Sequence, residues 1–276
     1  MDASSLRFAF GFVGSLGSRM MEANVGDDSA DGGSPIDMHG KLAVLELAVS
    51  MIVVAMYYVL SQMGVMAASL WKSVLLAQVF VSIAIYIHYV MNRRSRRLWV
   101  EGVVSVLALA PWAMIAFAWL FYISSIPMSG DLKASVILVC FSIIGWHSFM
   151  VLSDFRRAAR KEAVVNTIYY DDGSNLIFRN SLIGYIDKLT SRNPLKGSLL
   201  SIVGYMMPFA AVFGMTANHI FGENIAPHMA CIVLSVLGFP LSVWLVGNAC
   251  VRSFFFRVYL PLKLEKKTGK KVLLAT

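Results

Sequence analysis

Six long apolar stretches organise this chain, and they lie near residues 42–62, 69–91, 99–123, 133–153, 197–217 and 227–249. At about 1.5 Å per helical residue, each is long enough to cross a hydrocarbon core of roughly 30 Å. Since that core contains no water, each segment must satisfy its backbone hydrogen bonds internally, as a helix does. The sequence therefore predicts an all-α polytopic membrane protein with six transmembrane helices.

The positive charges between these stretches are distributed unevenly. Alternate loops are either basic or almost free of charge, and all but Lys72 and Lys133 of the 24 Lys and Arg residues can be placed on one side. Basic loops are retained in the cytoplasm during insertion. We therefore expect both termini to be cytoplasmic, in a protein of a bacterial cytoplasmic (inner) membrane.

The composition agrees with a membrane location and argues against nucleic-acid binding. Charged residues make up 14% of the chain, whereas soluble domains have about 25%. The net charge of +8 comes from residues beside predicted helix ends, where topology and contact with anionic lipid explain it. We expect anionic lipid of the cytoplasmic leaflet to be a partner, and we expect no nucleic acid.

Residues 1–40 precede the first predicted span and divide into two parts. The first part is apolar but interrupted by glycines, and Phe8, Phe10 and Phe12 are its phenylalanines. The stretch that follows, 24–37, is acidic and Gly-rich, as linkers are. The sequence predicts a cytoplasmic interfacial segment that contacts lipid or a partner, joined by a linker to spans one to four within 41–153.

A small cap is predicted at 154–196, before spans five and six within 197–250. It begins as a continuation of the fourth helix. Two β-rich runs, 164–170 and 175–178, then flank an Asp-Gly turn, which indicates a hairpin. An amphipathic pattern over 181–190 predicts a short helix. A cytoplasmic cap of this size is too small to form a catalytic domain alone.

The segment 251–276 is predicted to be a basic cytoplasmic tail. Arg252 and Arg257 bracket three phenylalanines, and Lys266 and Lys267 belong to a lysine-rich end. Lysines near an anionic leaflet each contribute about 1 kcal/mol of attraction. We expect these four residues to contact lipid or a partner, in a tail that is otherwise solvated.

Four polar residues inside the predicted spans are candidate functional residues. Glu46 and Glu101 lie near the cytoplasmic ends of spans one and three, where they suit either an interfacial ion pair or a transport role. His88 and His147 lie at similar depths in spans two and four. Two such imidazoles suit either hydrogen bonds within the bundle or ligation of one haem iron.

Prolines inside three of the predicted spans indicate helix kinks. Pro111, Pro208 and Pro240 fall in spans three, five and six. Each removes a helical hydrogen bond, and in transporters such breaks mark binding sites. These kinks support an alternative function as a small-solute or ion transporter or channel.

The leading expectation is a non-enzymatic subunit or scaffold of a larger membrane complex of the secretion, conjugation or defence type. The outer loops are minimal, charges at the membrane midplane are missing, and the cytoplasmic side offers a cap, an apolar segment and a basic tail. The sequence carries no P-loop, no HExxH and no G-x-S-x-G motif. We expect no metal and no cofactor, and partners that are other membrane subunits or further copies of the chain.

Overall fold

The protein is mostly helical and has the helices of an integral membrane protein. A computed structural model describes residues 37–93, 95–179, 182–192 and 226–274, and 78% of it is helix. Helices long and apolar enough to cross a membrane lie at Leu42–Gln62, Leu70–Asn92, Leu98–Ser125, Gly130–Ala159 and Cys231–Thr268. These five helices correspond to five of the six predicted spans. The predicted span 197–217, with Pro208, and the segment holding Phe8, Phe10 and Phe12 lie outside the described residues.

The first four spans consist of six helices. In chain order these are α1 (Asp37–Gln62), α2 (Leu70–Asn92), α3 (Leu98–Leu107), α4 (Ala110–Ala116), α5 (Ala118–Ser125) and α6 (Gly130–Ala159). The third predicted span is thus interrupted twice, and Pro111 lies in the first turn of α4. Because proline lacks a backbone N–H, it suits a helix start and cannot continue the hydrogen bonds of α3.

Helices α1 and α2 pack against each other and form the first apolar core. A turn with Gly64 at a positive φ of 72° connects them, a conformation that favours glycine. Tyr57 and Val53 of α1 and Val74 of α2 are almost fully buried in this core. The Tyr57 hydroxyl also donates to the backbone oxygen of Met114 at 2.7 Å, which fixes α4 against the helix pair.

The last long helix continues well beyond the predicted end of span six at residue 249. It comprises α9 (Ala226–Trp244), a first π segment (Leu245–Cys250), α10 (Val251–Phe254), a second π segment (Phe255–Tyr259) and α11 (Leu260–Thr268). Pro240 lies inside α9. The helix ends at Gly269, whose φ of 72° is the left-handed conformation that terminates many helices. Part of the predicted basic tail is therefore helix.

A three-stranded sheet completes the fold, in the order β1-β2-β3. Between α6 and β1 lies the short helix α7 (Glu162–Ile168), and α8 (Ile183–Asp187) follows the hairpin. Strand β1 (Tyr169–Asp171) pairs antiparallel with β2 (Leu176–Phe178). Strand β3 (Val272–Leu274) pairs parallel with β2. We refer to α7, α8 and this sheet as the cap.

The predicted hairpin is present, but its first strand starts later than expected. Residues 164–168 are helical, so only Tyr169 and Tyr170 of the predicted run enter β1. Ile168 is fully buried in the cap core, and this packing overrides the β-propensity of the run. The Asp-Gly turn is as predicted, since Asp171 Oδ1 accepts from the backbone N–H of Gly173 at 2.9 Å.

The end of the predicted tail is a strand rather than a solvated segment. Val272 is fully buried, and the Lys270 ammonium donates to Asp171 at 2.7 Å. Hydrogen bonding to Lys270 lowers the pKa of Asp171. At pH values above the ordinary pKa of an aspartate, this contact therefore stabilises the folded protein. The contribution is lost as the pH falls through the lowered pKa of Asp171.

The core of the cap includes side chains from the ends of three membrane-spanning helices. Its buried members come from α3, α6, α7, α8, the second π segment, α11 and all three strands; they are Leu98, Val151, Phe155, Ile168, Tyr169, Leu176, Phe178, Ile186, Phe255, Phe256, Leu260 and Val272. Buried apolar side chains that interlock in this way exclude water and resist relative movement. The cap is therefore packed directly on the helix bundle.

Candidate functional site

Glu46 lies inside the bundle and is the only acidic side chain among the buried residues that the structure describes, being 4% exposed. Ser50, one turn further along α1, places its hydroxyl 2.9 Å from Glu46 Oε1. The Ser82 hydroxyl of α2 contacts Glu46 Oε2. Among the described residues, its hydrogen-bond partners are two neutral hydroxyls. The ion pair and the transport role predicted for Glu46 both stay predictions.

Gln78 extends this polar network towards the third span. It is fully buried, and its Oε1 lies 3.0 Å from the Ser50 hydroxyl. Its Nε2 donates to the backbone oxygen of Ala110 at 3.4 Å. Ala110 begins α4, directly after the interruption that follows α3. The network therefore joins α1, α2 and the broken third span, and we call Glu46, Ser50, Gln78 and Ser82 the polar network.

Sequence reasoning identified Glu46 but missed the other three residues of the polar network. Both helices carry the same signal, because Glu46 and Ser50 are four residues apart and so are Gln78 and Ser82. Residues at this spacing lie on one face of a helix. Two polar faces within apolar stretches predict that the faces meet, since a polar side chain is costly in contact with lipid.

Apolar side chains pack on both sides of the polar network along the helices. On the side nearer the start of α1, Ala43, Ile85 and Val104 form a buried cluster. On the other side, Val53 of α1 and Val74 of α2 belong to the first core. Dry apolar layers on both sides strengthen electrostatic interactions between the polar groups that they enclose. The network is therefore an enclosed polar site within the helix bundle.

Glu101 lies in the first turn of α3 and interacts electrostatically with Arg257. The Arg257 guanidinium also donates to the Ser105 hydroxyl at 2.7 Å. Gly102 makes this approach possible, because a Cβ atom there would lie 2.7 Å from the backbone oxygen of Arg257. Arg257 was predicted to contact lipid or a partner. The structure places it against α3, so its role is to join the last helix to the third span.

Tyr169 of the cap contacts the last helix beside Arg257, in the second π segment. Its hydroxyl donates to the backbone oxygen of Phe256 at 2.5 Å. Burial raises the pKa of Tyr169 well above its ordinary value, although the positive charge of Arg257 opposes the shift. The phenol is therefore neutral and remains a hydrogen-bond donor across the physiological pH range.

The other predicted tail contacts differ in their surroundings. Arg252 forms a salt bridge with Asp187 of α8, which connects the last helix to the cap. Lys266 and Lys267 lie in the last turn of α11 and are exposed. Of the four residues predicted to contact lipid or a partner, Lys266 and Lys267 are therefore the two that present exposed positive charge on α11.

The two histidines have separate partners on different helices. His88 Nε2 lies 3.2 Å from the backbone oxygen of Val100, and His147 Nε2 lies 2.9 Å from Asn248 Oδ1. The close approach of His147 depends on Gly247, where a Cβ atom would lie 2.3 Å from the ring. These contacts are the bundle hydrogen bonds that sequence reasoning weighed against haem ligation. Among the described residues, no group of three or more His, Cys, Asp or Glu could hold a metal ion.

A basic cavity of about 240 Å³ opens on one face of α6. Its lining consists of Phe149, Ser153, Arg156, Arg157 and Arg160. Residues at these spacings share one helix face, so the arginines lie directly beyond the apolar part of the span. We call these five residues the arginine groove. Guanidinium groups bind phosphate oxygens through paired N–H donors, so the groove suits an anionic headgroup.

Comparison with protein-family models, with curated proteins and with solved structures finds no match to this chain.

Proposed function

We propose that this protein is a non-enzymatic integral membrane subunit that acts as a scaffold in a larger membrane complex of the secretion, conjugation or defence type. The observation that carries the proposal is the cap, which parts of the chain that are distant in the sequence build together. Strand β3 pairs with β2, and Arg97 forms a further bridge with Leu273 of β3. Such a packed platform resists deformation when a partner binds to it.

Two features support contact between this platform and other proteins. Lys266 and Lys267 are exposed on α11, and positive patches of this kind steer acidic partners and fix their orientation. The apolar N-terminal segment, with Phe8, Phe10 and Phe12, supplies aromatic side chains of the type that anchor interfaces. We propose that both regions bind other membrane subunits or a second copy of the chain.

Charge reversal on α11 tests this function. Native protein extracted in a mild detergent should co-migrate with large partners, and the double variant Lys266→Glu, Lys267→Glu should lose them. The expected reduction is about tenfold or more, since reversing two interfacial charges creates repulsion of more than 1.4 kcal/mol. Lys133→Glu, on α6 beside the loop after α5, is the matched control and should retain the partners. Wild-type protein that migrates as a lone subunit under these conditions would contradict the proposal.

A transporter or channel is the second candidate, and the polar network favours it. The network lies where the third span is interrupted before Pro111, and transporters place their ion sites at discontinuous helices. Pro240 also removes one hydrogen bond, although α9 continues through it. Transport would be measured as solute or ion flux into vesicles that contain the purified protein.

We propose a bacterial cytoplasmic membrane location with both termini in the cytoplasm. The support comes from the basic loops, which place Ser129 outside and Thr268 inside. In a variant that lacks Cys140, Cys231 and Cys250, a single cysteine at position 129 should react with an impermeant maleimide in intact cells. A cysteine at position 268 should react only after permeabilisation. The reverse pattern would overturn this topology.

The arginine groove supports anionic lipid as a further partner. Three arginines project from α6 next to Phe149, whose ring is 59% exposed. In this arrangement the arginines bind a lipid phosphate while the phenylalanine contacts its acyl chain. This contact would fix the depth of α6 in the membrane and thereby the height of the cap above it.

A further inference from the structure

The carboxylate of Glu46 is buried without a balancing positive charge from the described part of the protein. No salt bridge joins it to a Lys or Arg side chain that the structure describes. An ionised carboxylate in a protein interior within a membrane is costly unless a positive charge accompanies it. Among the described residues nothing supplies this positive charge, so a cation taken up from solution would stabilise the folded state.

The other ionisable side chains that the structure describes on the surrounding helices face elsewhere. On α1, Tyr57 donates to Met114 and Tyr58 packs on Trp71. On α2, Tyr86 packs on Tyr89, and Lys72 lies over the Trp71 ring. His88 bonds to Val100, Glu101 of α3 interacts with Arg257, and the sequence of α4 has no ionisable residue. Glu46 is thus the titratable group of the polar network.

The polar network has fewer protons than hydrogen-bonding contacts between oxygen atoms. The Ser50 hydroxyl has one proton but faces two oxygens, Glu46 Oε1 and Gln78 Oε1. The Ser82 hydroxyl likewise faces Glu46 Oε2 and the backbone oxygen of Gln78. With an ionised Glu46, two of these four oxygen–oxygen contacts have no proton between them. A cation added beside the carboxylate relieves part of this repulsion; a proton, for example, would fill one of the two contacts.

The groups that surround the carboxylate are suited to a small monovalent cation. Two hydroxyl oxygens contact the carboxylate, and the amide oxygen and backbone oxygen of Gln78 contact these hydroxyls. At the helix break, the backbone oxygen of Ala110 accepts from the Gln78 amide. Carboxylate, hydroxyl and backbone oxygens at a discontinuous helix are the groups that bind Na⁺ and H⁺ in transporters. No softer ligand, such as a thiol, takes part in these contacts.

We propose that Glu46 is the binding group of an intramembrane site for one monovalent cation, either H⁺ or Na⁺. A proton would reside on the Glu46 carboxyl, and Na⁺ would lie between this carboxylate and the neighbouring oxygens. The apolar layers on either side make the site occluded in this structure. The site is independent of the scaffold role, and it would supply the ion of the transport candidate.

Thermal unfolding of the full-length protein in lipid nanodiscs tests the site. Melting is measured in NaCl and in choline chloride of equal ionic strength, at a series of pH values. If the ion is Na⁺, Tm should rise by about 3–5 °C for each tenfold increase in Na⁺ above Kd. If the ion is H⁺, Tm should rise as pH falls and should not depend on Na⁺.

Glu46→Gln keeps the size of the side chain and removes its charge, so this variant should lose whichever dependence the wild type shows. Glu162→Gln, at an exposed position on α7, is the matched control and should behave like the wild type. Lys41→Gln should also behave like the wild type. This variant tests whether Lys41, five residues before Glu46, supplies the positive charge that balances the carboxylate. Should Glu46→Gln not fold, Ser82→Ala retains the carboxylate and should weaken the Na⁺ dependence or change the pH dependence.

Three results would overturn the site. The first is wild-type protein whose Tm responds to neither Na⁺ nor pH. The second is a variant without the Glu46 carboxylate that responds as the wild type does. The third is a loss of the response in Lys41→Gln, which would identify that lysine as the counter-charge. None of these results changes partner co-migration, so failure of the site and failure of the scaffold role are distinguishable.

Discussion

Replacing Val272 by Asp should detach β3 and destabilise the cap by about 3–5 kcal/mol, because it buries an unpaired carboxylate. Val272 is fully buried and lies opposite Leu176 in the sheet. Loss of this strand would also expose the edge of β2 and the apolar side chains of the cap core. The measurement is limited trypsin digestion of the protein in nanodiscs, which should cut rapidly at Lys270 and Lys271 in the variant.

Lys271→Asp is the matched control for this substitution. It introduces the same carboxylate at the neighbouring position, where the side chain is exposed. We expect its resistance to trypsin at Lys270 to stay close to that of the wild type, since exposed substitutions have effects within about 0.5 kcal/mol. If Val272→Asp and Lys271→Asp were equally resistant, β3 would not be held in the sheet.

Replacing Gly102 by Ala should destabilise the contact between α3 and the last helix by about 1–3 kcal/mol, as overpacking does. The new Cβ atom would lie 2.7 Å from the Cβ atom and the backbone oxygen of Arg257. A backbone atom within a helix cannot rotate away, so the two helices must separate. This should weaken the hydrogen bond between Arg257 and Ser105. Unfolding in a denaturant, followed by tryptophan fluorescence, measures the change.

Gly145→Ala is the control for helix propensity. Gly145 lies within α6, and a Cβ atom there would meet no other atom within 4 Å. Alanine is a better helix former than glycine by about 1 kcal/mol, so this variant should be neutral or slightly more stable. A Gly102→Ala variant as stable as Gly145→Ala would show that the two helices have room to adjust.

The membrane-spanning helices were predictable because length and hydropathy alone decide them. An apolar stretch of about twenty residues has few alternatives to a helix that crosses the membrane. The Asp-Gly hairpin was predictable for a similar local reason, since the turn at Gly173 needs a positive φ. These features depend on residues that are close together in the sequence.

The extent of the last helix was not predictable from local composition. Arg252 and Arg257 resemble the charged boundary of a span, and the sequence prediction therefore ended the helix before them. In the structure, Ser105 and the charge of Glu101 lie beside Arg257, so the charge does not end the helix. Only contacts between distant residues reveal this compensation.

The candidate site was predictable in part. A carboxylate within an apolar stretch is conspicuous, so the sequence identified Glu46. The sequence did not identify Gln78, because a single neutral amide is common in an apolar stretch. Whether Gln78 joins the network depends on which way its face of α2 is turned. The sequence also identified His88 and His147 as polar residues within apolar stretches. Their orientation was not predictable, and each contacts a different helix.

The pairing of β2 with β3 has a consequence for how the protein matures in the membrane. The hairpin of β1 and β2 is synthesised before the last long helix, whereas β3 follows that helix in the sequence. The sheet therefore cannot close until the last long helix has been synthesised and has brought β3 back to the hairpin. Until then, β2 has an unpaired edge of the kind that recruits other strands. Closure of the sheet thus indicates that the last helix has folded against the cap, and chains in which this helix fails to pack would carry an exposed edge that chaperones and proteases can recognise.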